Sequence, residues 1–285
     1  MKFSLKQSVI ALGMTACLST TALAEDGPQR VVSIGGAVTE IVFALGEEDR
    51  LVARDTTSNH PEEAAALPDV GYIRALSAEG VLSVNPDHII SESGAGPLET
   101  IELLREASVP IVEVNNGFTR EDISEKIKMV ADTLGVSDKG AELAAKVDAE
   151  IAAAVARVDT SIRPKVIFIL STAGGRVMAA GENTSADAII ALSGGQNALS
   201  GFEGFKPVTD EAIVTSGAEV ILMMDRGGDH SASLEKLREH QSLKLTPAAQ
   251  SGAVVRMDGM LLLGFSVRTG EAVSRLAAAL EGVQG

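Results

Sequence analysis

The sequence has one cysteine, one tyrosine and no tryptophan in 285 residues. Cys17 lies close to the amino terminus, so the rest of the chain cannot form an internal disulfide. Its stability must therefore come from a hydrophobic core. The length is sufficient for one large domain or two of ordinary size.

Positive charge is also scarce, since 24 Lys and Arg stand against 39 Asp and Glu, which gives a net charge of −15. So acidic a surface argues against binding to nucleic acid or to anionic lipid. No apolar run beyond the amino-terminal segment is long enough to cross a bilayer. We therefore expect a monomer with no nucleic-acid partner and no membrane-spanning segment.

Sequence motifs of the common α/β enzymes are missing as well. There is no Gly-x-Ser-x-Gly nucleophile elbow, because Ser33-Ile-Gly-Gly and Ser193-Gly-Gly both lack the leading glycine. Neither a Walker A loop nor Gly-x-Gly-x-x-Gly follows a predicted strand. An exported α/β enzyme is the rival interpretation, but these absences favour a protein that binds and does not catalyse.

Residues 1–24 have the pattern of a signal peptide. Lys2 and Lys6 precede an apolar run, and Ala22-Leu-Ala24 is a small-x-small site that predicts cleavage after Ala24. Loss of the two lysines would take the net charge from −15 to −17. We expect an exported protein, with lipid attachment at Cys17 as the alternative.

The remaining chain alternates strand patterns with helix patterns in two series, 25–136 and 161–285. Such alternation predicts βαβ units and parallel sheets. The alanine-rich segment 137–160 contains no proline and predicts one long helix between them. The expected fold is α/β, with two Rossmann-like lobes of mostly parallel strands joined by a single long helix.

The two series also share a sequence pattern. Residues 76–90 and 208–222 both run from a hydroxyl residue through a glutamate and a short helix to a turn and an apolar strand. Glu79 and Glu211 occupy equivalent places in this pattern. An acid in the first turn after a Ser or Thr cap also stabilises any helix. The match across both series indicates that the lobes repeat one plan.

Tyr72, the only tyrosine, follows Pro-Asp-Val-Gly and is therefore expected in a turn. Arg74 lies two positions on, on the same side of an extended segment. A guanidinium stabilises a nearby phenolate, and tyrosinate is a known axial ligand of haem iron. The alternative is a surface tyrosine that packs on the stem of the arginine.

Three segments carry a family resemblance: Val-Val-Ser-Ile-Gly-Gly-Ala-Val-Thr-Glu, Val-Gly-Tyr-Ile-Arg and Ser-x-Glu…Asn-Pro-Asp-x-Ile-Ile. With the signal peptide, they resemble the periplasmic haem-binding proteins of ABC importers. That group is related to siderophore- and cobalamin-binding proteins. The resemblance implies a ligand in the cleft between the lobes, with Tyr72 as the axial ligand of ferric haem iron and Arg74 bonded to the phenolate oxygen.

The resemblance also implies partners. Haem is the transported ligand, and an outer-membrane haem receptor system stands upstream. Glu79 and Glu211 would lie on the outer faces of the lobes and meet arginines of an inner-membrane ABC permease dimer. A ferric-siderophore or corrinoid carrier is the alternative, although the scarcity of aromatic residues is unfavourable for a siderophore site.

Further ligand contacts are expected on loops that follow predicted strands. Arg226, Ser93 and Met178 are the main candidates, and Met178, His60 or His230 could supply a second axial ligand. His88 sits within a strand pattern and is expected to be structural. Weaker candidates after strands are Ser91, Gly94, Ser171 and Thr172, and Arg268 is a weaker candidate at the edge of the cleft.

Overall fold

The structure, a computed structural model, describes residues 27–225 and 234–283. The predicted signal peptide with Cys17, and the candidates Arg226 and His230, lie outside the described residues. Within the described ranges, no helix combines the length and the apolar character that a bilayer crossing requires.

The first sheet has four parallel strands in the order β2-β1-β3-β4. Its central strands are short apolar runs that bury both faces, as expected when helices cover a parallel sheet. The strands are β1 (Val31–Ile34), β2 (Leu51–Arg54), β3 (His88–Glu92) and β4 (Ile111–Val114). The helices are α1 (Gly36–Ala44), α2 (Ala78–Leu82), α3 (Leu98–Glu106) and α4 (Arg120–Thr133).

A 19-residue helix, α5 (Ser137–Val155), connects the two sheets. It buries Ala144, Val147, Ile151 and Ala154, which recur at the three- and four-residue spacing of one helix face. The predicted end at residue 160 is wrong, because the chain turns after Val155. There the amide of Val158 donates to the carbonyl of Val155 at 3.1 Å, a three-residue spacing that closes a turn.

The second sheet has six strands, with the order β10-β9-β5-β6-β8 and β7 beside β5. β5, β7, β9 and β10 are parallel, whereas β6 is antiparallel to β5 and β8 is antiparallel to β6. The strands are β5 (Lys165–Ser171), β6 (Met178–Ala180), β7 (Gln196–Asn197), β8 (Phe205–Pro207), β9 (Val220–Asp225) and β10 (Val254–Asp258). The helices are α6 (Ser185–Leu192), α7 (Asp210–Ser216), α8 (Leu234–Glu239), α9 (Pro247–Ser251), α10 (Gly259–Leu263) and α11 (Thr269–Gly282).

The predicted fold class is confirmed, and so is the repeated plan. The strand succession β1-β3-β4 in the first sheet corresponds to β5-β9-β10 in the second, and α2 and α7 precede the equivalent strands β3 and β9. Ser77 caps α2 by accepting from the Gly80 amide at 2.9 Å, and Thr209 caps α7 by accepting from the Ala212 amide at 3.1 Å. α5 packs against α4 of the first lobe and α11 of the second.

Candidate ligand-binding site

Tyr72 lies in a turn between β2 and α2, and its side chain is 47% exposed. The amide of Ala75 donates to the Tyr72 carbonyl at 2.7 Å and closes the turn. Gly71 precedes it with φ of +105°, a backbone conformation that favours glycine. A large aromatic side chain is therefore displayed on a rigid turn instead of being packed in the core.

The Tyr72 turn is attached to loops at the carboxyl end of the first sheet. The amide of Thr56, just after β2, donates to the Gly71 carbonyl at 2.9 Å. Gly96, in the loop after β3, makes two such bonds. Its amide donates to the Ile73 carbonyl at 2.9 Å, and the Gly96 carbonyl accepts from the Leu76 amide. Open α/β sheets bind ligands outside the carboxyl ends of their strands, and Tyr72 is at this position.

Arg74 is exposed on the same turn. Among the described residues, neither the Tyr72 hydroxyl nor the Arg74 guanidinium has a hydrogen-bonding or ionic partner. Gly94 faces the guanidinium, because a Cβ atom at Gly94 would lie 3.9 Å from Nη1 of Arg74. Both polar groups are therefore available to a ligand, and the bond between them stays a prediction for the complex.

The other first-lobe candidates differ in exposure. Ser93 is exposed, and its hydroxyl donates to the Val114 carbonyl at 3.0 Å. Ser91 is 1% exposed inside β3, so it cannot face a ligand. His60 is exposed in the loop after β2, while His88 is half-buried beside Asp87.

In the second lobe, the loop after β5 and the start of β6 carry Ser171, Thr172 and Met178, all half-buried. Met178 pairs with Ser171 across antiparallel strands, an arrangement that the sequence does not predict. Nε2 of His240 lies 3.2 Å from the Gly175 carbonyl and ties this loop to the region of α8. Arg268 forms an ion pair with the buried Glu40, so its guanidinium already has a partner within the protein and is not free for a ligand.

Two buried carboxylates lie next to the site, and neither of them is predicted from the sequence. Asp55 follows β2 and accepts from the Gly35 amide at 3.0 Å and from the Ser58 hydroxyl at 2.8 Å. Glu92 ends β3 and accepts from the Ala37 amide at 3.0 Å, at the start of α1. The Gly35-Gly36 pair makes this possible, because a Cβ atom at Gly35 would lie 2.6 Å from the Glu92 carboxyl carbon.

A buried charge cluster joins the two lobes beside these carboxylates. Lys126 of α4 is fully buried and donates to the Phe265 carbonyl at 3.2 Å. Burial lowers the pKa of Lys126, opposed most by the nearby charge of Glu92. Burial likewise raises the pKa of Glu92, opposed most by Lys126. The signal in the sequence is a lysine on the apolar face of α4, in register with Ile123 and Ile127.

The expected docking residues are both on the surface. Glu79 and Glu211 are exposed and are each the second residue of a short helix. Beside Glu211 lies a groove of 450 Å³. It is lined by two acids, two exposed apolar side chains and three polar ones: Asp210, Glu211, Val214, Leu245, Thr215, Gln241 and Ser242.

A profile described as periplasmic binding protein matches residues 31–261, most of the chain. The protein belongs to the periplasmic binding protein family. Two solved members are similar over nearly all of their length. The periplasmic haem-binding protein BhuT, in complex with two haems, is 38% identical with a TM-score of 0.84, and the match covers 90% of this chain and 99% of that one. The periplasmic haem-binding protein RhuT from Roseiflexus sp. RS-1, in apo form, is 36% identical with a TM-score of 0.85, over 91% and 100%.

Another family member carries a different ligand name. The vitamin B12-binding protein of Vibrio parahaemolyticus is 27% identical over 213 residues, which are 74% of this chain and 76% of that protein. The family is thus shown to be one of substrate-binding transport proteins, while its members are named for different tetrapyrrole-type ligands.

Proposed function

We propose that this periplasmic binding protein captures ferric haem between its lobes and delivers it to an inner-membrane ABC permease. The observation that carries the proposal is Tyr72, a half-exposed phenol without a protein partner among the described residues, at the carboxyl edge of the first sheet. The names of the two similar solved structures support haem as the ligand. Residues 1–24 would direct export and be removed after Ala24.

In this proposal, Tyr72 supplies a phenolate oxygen to the haem iron. Ferric iron is a hard cation and prefers an anionic oxygen, and Arg74 stabilises that anion by charge and hydrogen bonding. Ser93 and Arg226 are the candidates for the propionates, and Met178 would face the macrocycle from the second lobe. The protein carries the ligand and transforms nothing.

Delivery would use Glu79 and Glu211. Each presents a carboxylate on the outside of a lobe, at equivalent places in the repeated plan. Two acids so placed match two arginines of a dimeric permease, because complementary charges orient and accelerate docking. Their exposure leaves both free to act without disturbing the Tyr72 turn.

A corrinoid is the second candidate, because a similar family member is named for vitamin B12. Titration of the purified protein with hemin and, separately, with cyanocobalamin distinguishes the two. Haem binding through a phenolate should produce high-spin ferric tyrosinate bands. Retention of cyanocobalamin and not of hemin would contradict the haem assignment.

Tyr72→Phe tests the ligand atom. It removes one oxygen and leaves the ring, so the tyrosinate bands should vanish while the fold is kept. Phe205→Leu, which changes a partly exposed aromatic residue on β8 of the second lobe, is the control and should leave the bands in place. Unchanged bands in Tyr72→Phe would show that another side chain binds the iron.

A further inference from the structure

We propose that Asp69 positions Tyr72 for its ligand, acting through the backbone of the turn. The inference rests on the proposed role of Tyr72 as the iron ligand. Asp69 lies three residues before Tyr72, outside the reach of any ligand contact considered above. Its carboxylate accepts three hydrogen bonds, and each of them holds a different part of the surrounding structure.

The first bond sets the backbone immediately before Tyr72. Oδ1 of Asp69 accepts from the Gly71 amide at 2.8 Å, which closes an Asx-turn across Asp69, Val70 and Gly71. Gly71 has φ of +105°. A glycine is free to adopt many other conformations, and this bond is the one that holds the Gly71 amide in the conformation observed. The φ and ψ of Gly71 determine where the next residue, Tyr72, projects.

The second and third bonds tie the same carboxylate to the end of β2. Oδ1 of Asp69 also accepts from the Thr56 hydroxyl at 3.1 Å, and Oδ2 accepts from Nη1 of Arg54 at 2.6 Å. The Arg54 side chain is 12% exposed, and its guanidinium further donates to the Asp55 and Ala65 carbonyls. Asp69 is therefore held by an arginine that is itself fixed to the backbone on either side.

Backbone hydrogen bonds alone do not fix the direction of the tyrosine. The amide of Arg54 donates to the Pro68 carbonyl at 2.9 Å and the amide of Val70 donates to the Arg54 carbonyl at 3.0 Å, which lays the segment beside β2. These bonds precede Gly71. The amide of Thr56 donates to the Gly71 carbonyl at 2.9 Å and the amide of Ala75 donates to the Tyr72 carbonyl, so both hold the turn after the Gly71 amide. The Gly71 amide itself is held by Asp69, so Asp69 completes the restraint on the glycine and sets the geometry of the phenol oxygen.

Asp69→Ala tests the proposal against a matched control. Asp159 makes the same two-residue bond, accepting from the Ser161 amide at 2.8 Å, in the loop between α5 and β5. Hemin dissociation, measured by transfer to apomyoglobin, should be about 10-fold faster or more in Asp69→Ala and unchanged in Asp159→Ala. The tyrosinate bands should weaken or broaden in the first variant alone, a change that loss of stability does not produce.

Asp69→Asn and Thr56→Val keep the test decisive if Asp69→Ala folds poorly. The side-chain amide oxygen that Asp69→Asn introduces can still accept from the Gly71 amide, so the bands should be recovered in part. Thr56→Val removes one donor and should give a smaller increase in the dissociation rate. Wild-type bands and dissociation rates in all three variants would overturn the role of Asp69.

The outcomes also separate this inference from the proposed function. If Tyr72→Phe abolishes the tyrosinate bands while Asp69→Ala, Asp69→Asn and Thr56→Val leave them intact, only the positioning role fails. If Tyr72→Phe keeps the bands, Tyr72 is not the ligand and the positioning role of Asp69 fails with it, whereas haem capture itself is decided by the titrations with hemin and cyanocobalamin.

Discussion

Glu40 of the first lobe and Arg268 of the second form an ion pair whose acidic side chain is only 2% exposed. The Ser266 hydroxyl donates to the same carboxylate. Phe265 adds the carbonyl that accepts from Lys126, and its ring lies 5.2 Å from that of Phe118. The lobes are thus held together by specific polar contacts to residues 265–268 as well as by α5.

Arg268→Ala should lower the free energy of unfolding by about 3–5 kcal/mol, because it leaves a buried carboxylate without its cation. The double variant Glu40→Ala/Arg268→Ala should lose less free energy of unfolding than the two single variants lose together, by about 1–3 kcal/mol. Urea unfolding of the four proteins measures this coupling. Strictly additive effects would contradict it. The exposed pair Glu271–Arg275 on α11 is the control, with an expected coupling of about 0.5 kcal/mol or less.

Glu92→Gln should change how stability depends on pH. Burial raises the pKa of Glu92 above its ordinary value of 4.5. A carboxyl with a raised pKa contributes stability that is present below pH 4.5 and is lost as the pH rises through the raised pKa. The variant should therefore gain stability relative to wild type as the pH rises above 4.5.

Thermal unfolding of wild type and Glu92→Gln between about pH 4 and pH 7 makes this comparison. Lys126 changes stability with pH in the opposite direction, because its pKa is lowered. Its contribution to stability is present above pH 10.5 and is lost as the pH falls through the lowered pKa. Glu106→Gln, on an exposed position of α3, is the control for loss of a surface carboxylate. A pH-independent difference for Glu92→Gln would refute the prediction.

Glu79→Lys and Glu211→Lys should uncouple delivery from binding. Hemin spectra should match wild type, because both residues are exposed and neither is among the residues proposed to hold haem. Hemin transfer to an ABC haem permease in liposomes should fall about 10-fold or more in the double variant, since each lysine replaces attraction by repulsion. Glu99→Lys/Glu102→Lys changes two exposed acids of α3 and makes the same charge change elsewhere. An equal loss of transfer in that control would show that net charge, and not the position of the two acids, causes the effect.

Gly36→Ala should loosen the contact between α1 and α10. A Cβ atom there would overlap the Met260 methyl group and would lie 3.0 Å from the Thr57 carbonyl oxygen. Overpacking of this kind costs about 1–3 kcal/mol. Met260→Ala in the same chain should restore part of the loss, because the obstructing group is the end of a flexible side chain. Gly282→Ala, with open space around it, is the control and should be neutral; a result equal to that of Gly36→Ala would refute the steric cause.

The parallel strands and most helices can be predicted from the sequence because their signals are local. Ser77 and Thr209 are hydroxyl residues directly before helices, and both act as caps. β6 and β8 have three residues each, too few for a periodic pattern, and they form only because they pair with β5 and with each other.

Some site residues can likewise be predicted from the sequence and others cannot. Tyr72 can be singled out because it is the only tyrosine, and Arg74 because it lies two positions from Tyr72. Lys126 cannot, because the residue that makes its burial tolerable, Phe265, lies 139 positions away. Asp69 looks like an ordinary turn former in sequence, and its contacts with Arg54 and Thr56 appear only when β2 is laid beside the turn.

The second sheet repeats the four parallel strands of the first, with β7 beside β5 as β2 is beside β1, and it adds β6 and β8. The two ends of the protein are therefore alike in their acidic helices and unlike where β6 and β8 are added. A partner built from two identical subunits cannot distinguish the protein from the same protein rotated by half a turn about the partner's axis. Both orientations at first encounter would give one and the same complex because of the symmetry of such a partner, and the internal repeat supplies one acidic helix for each of its subunits.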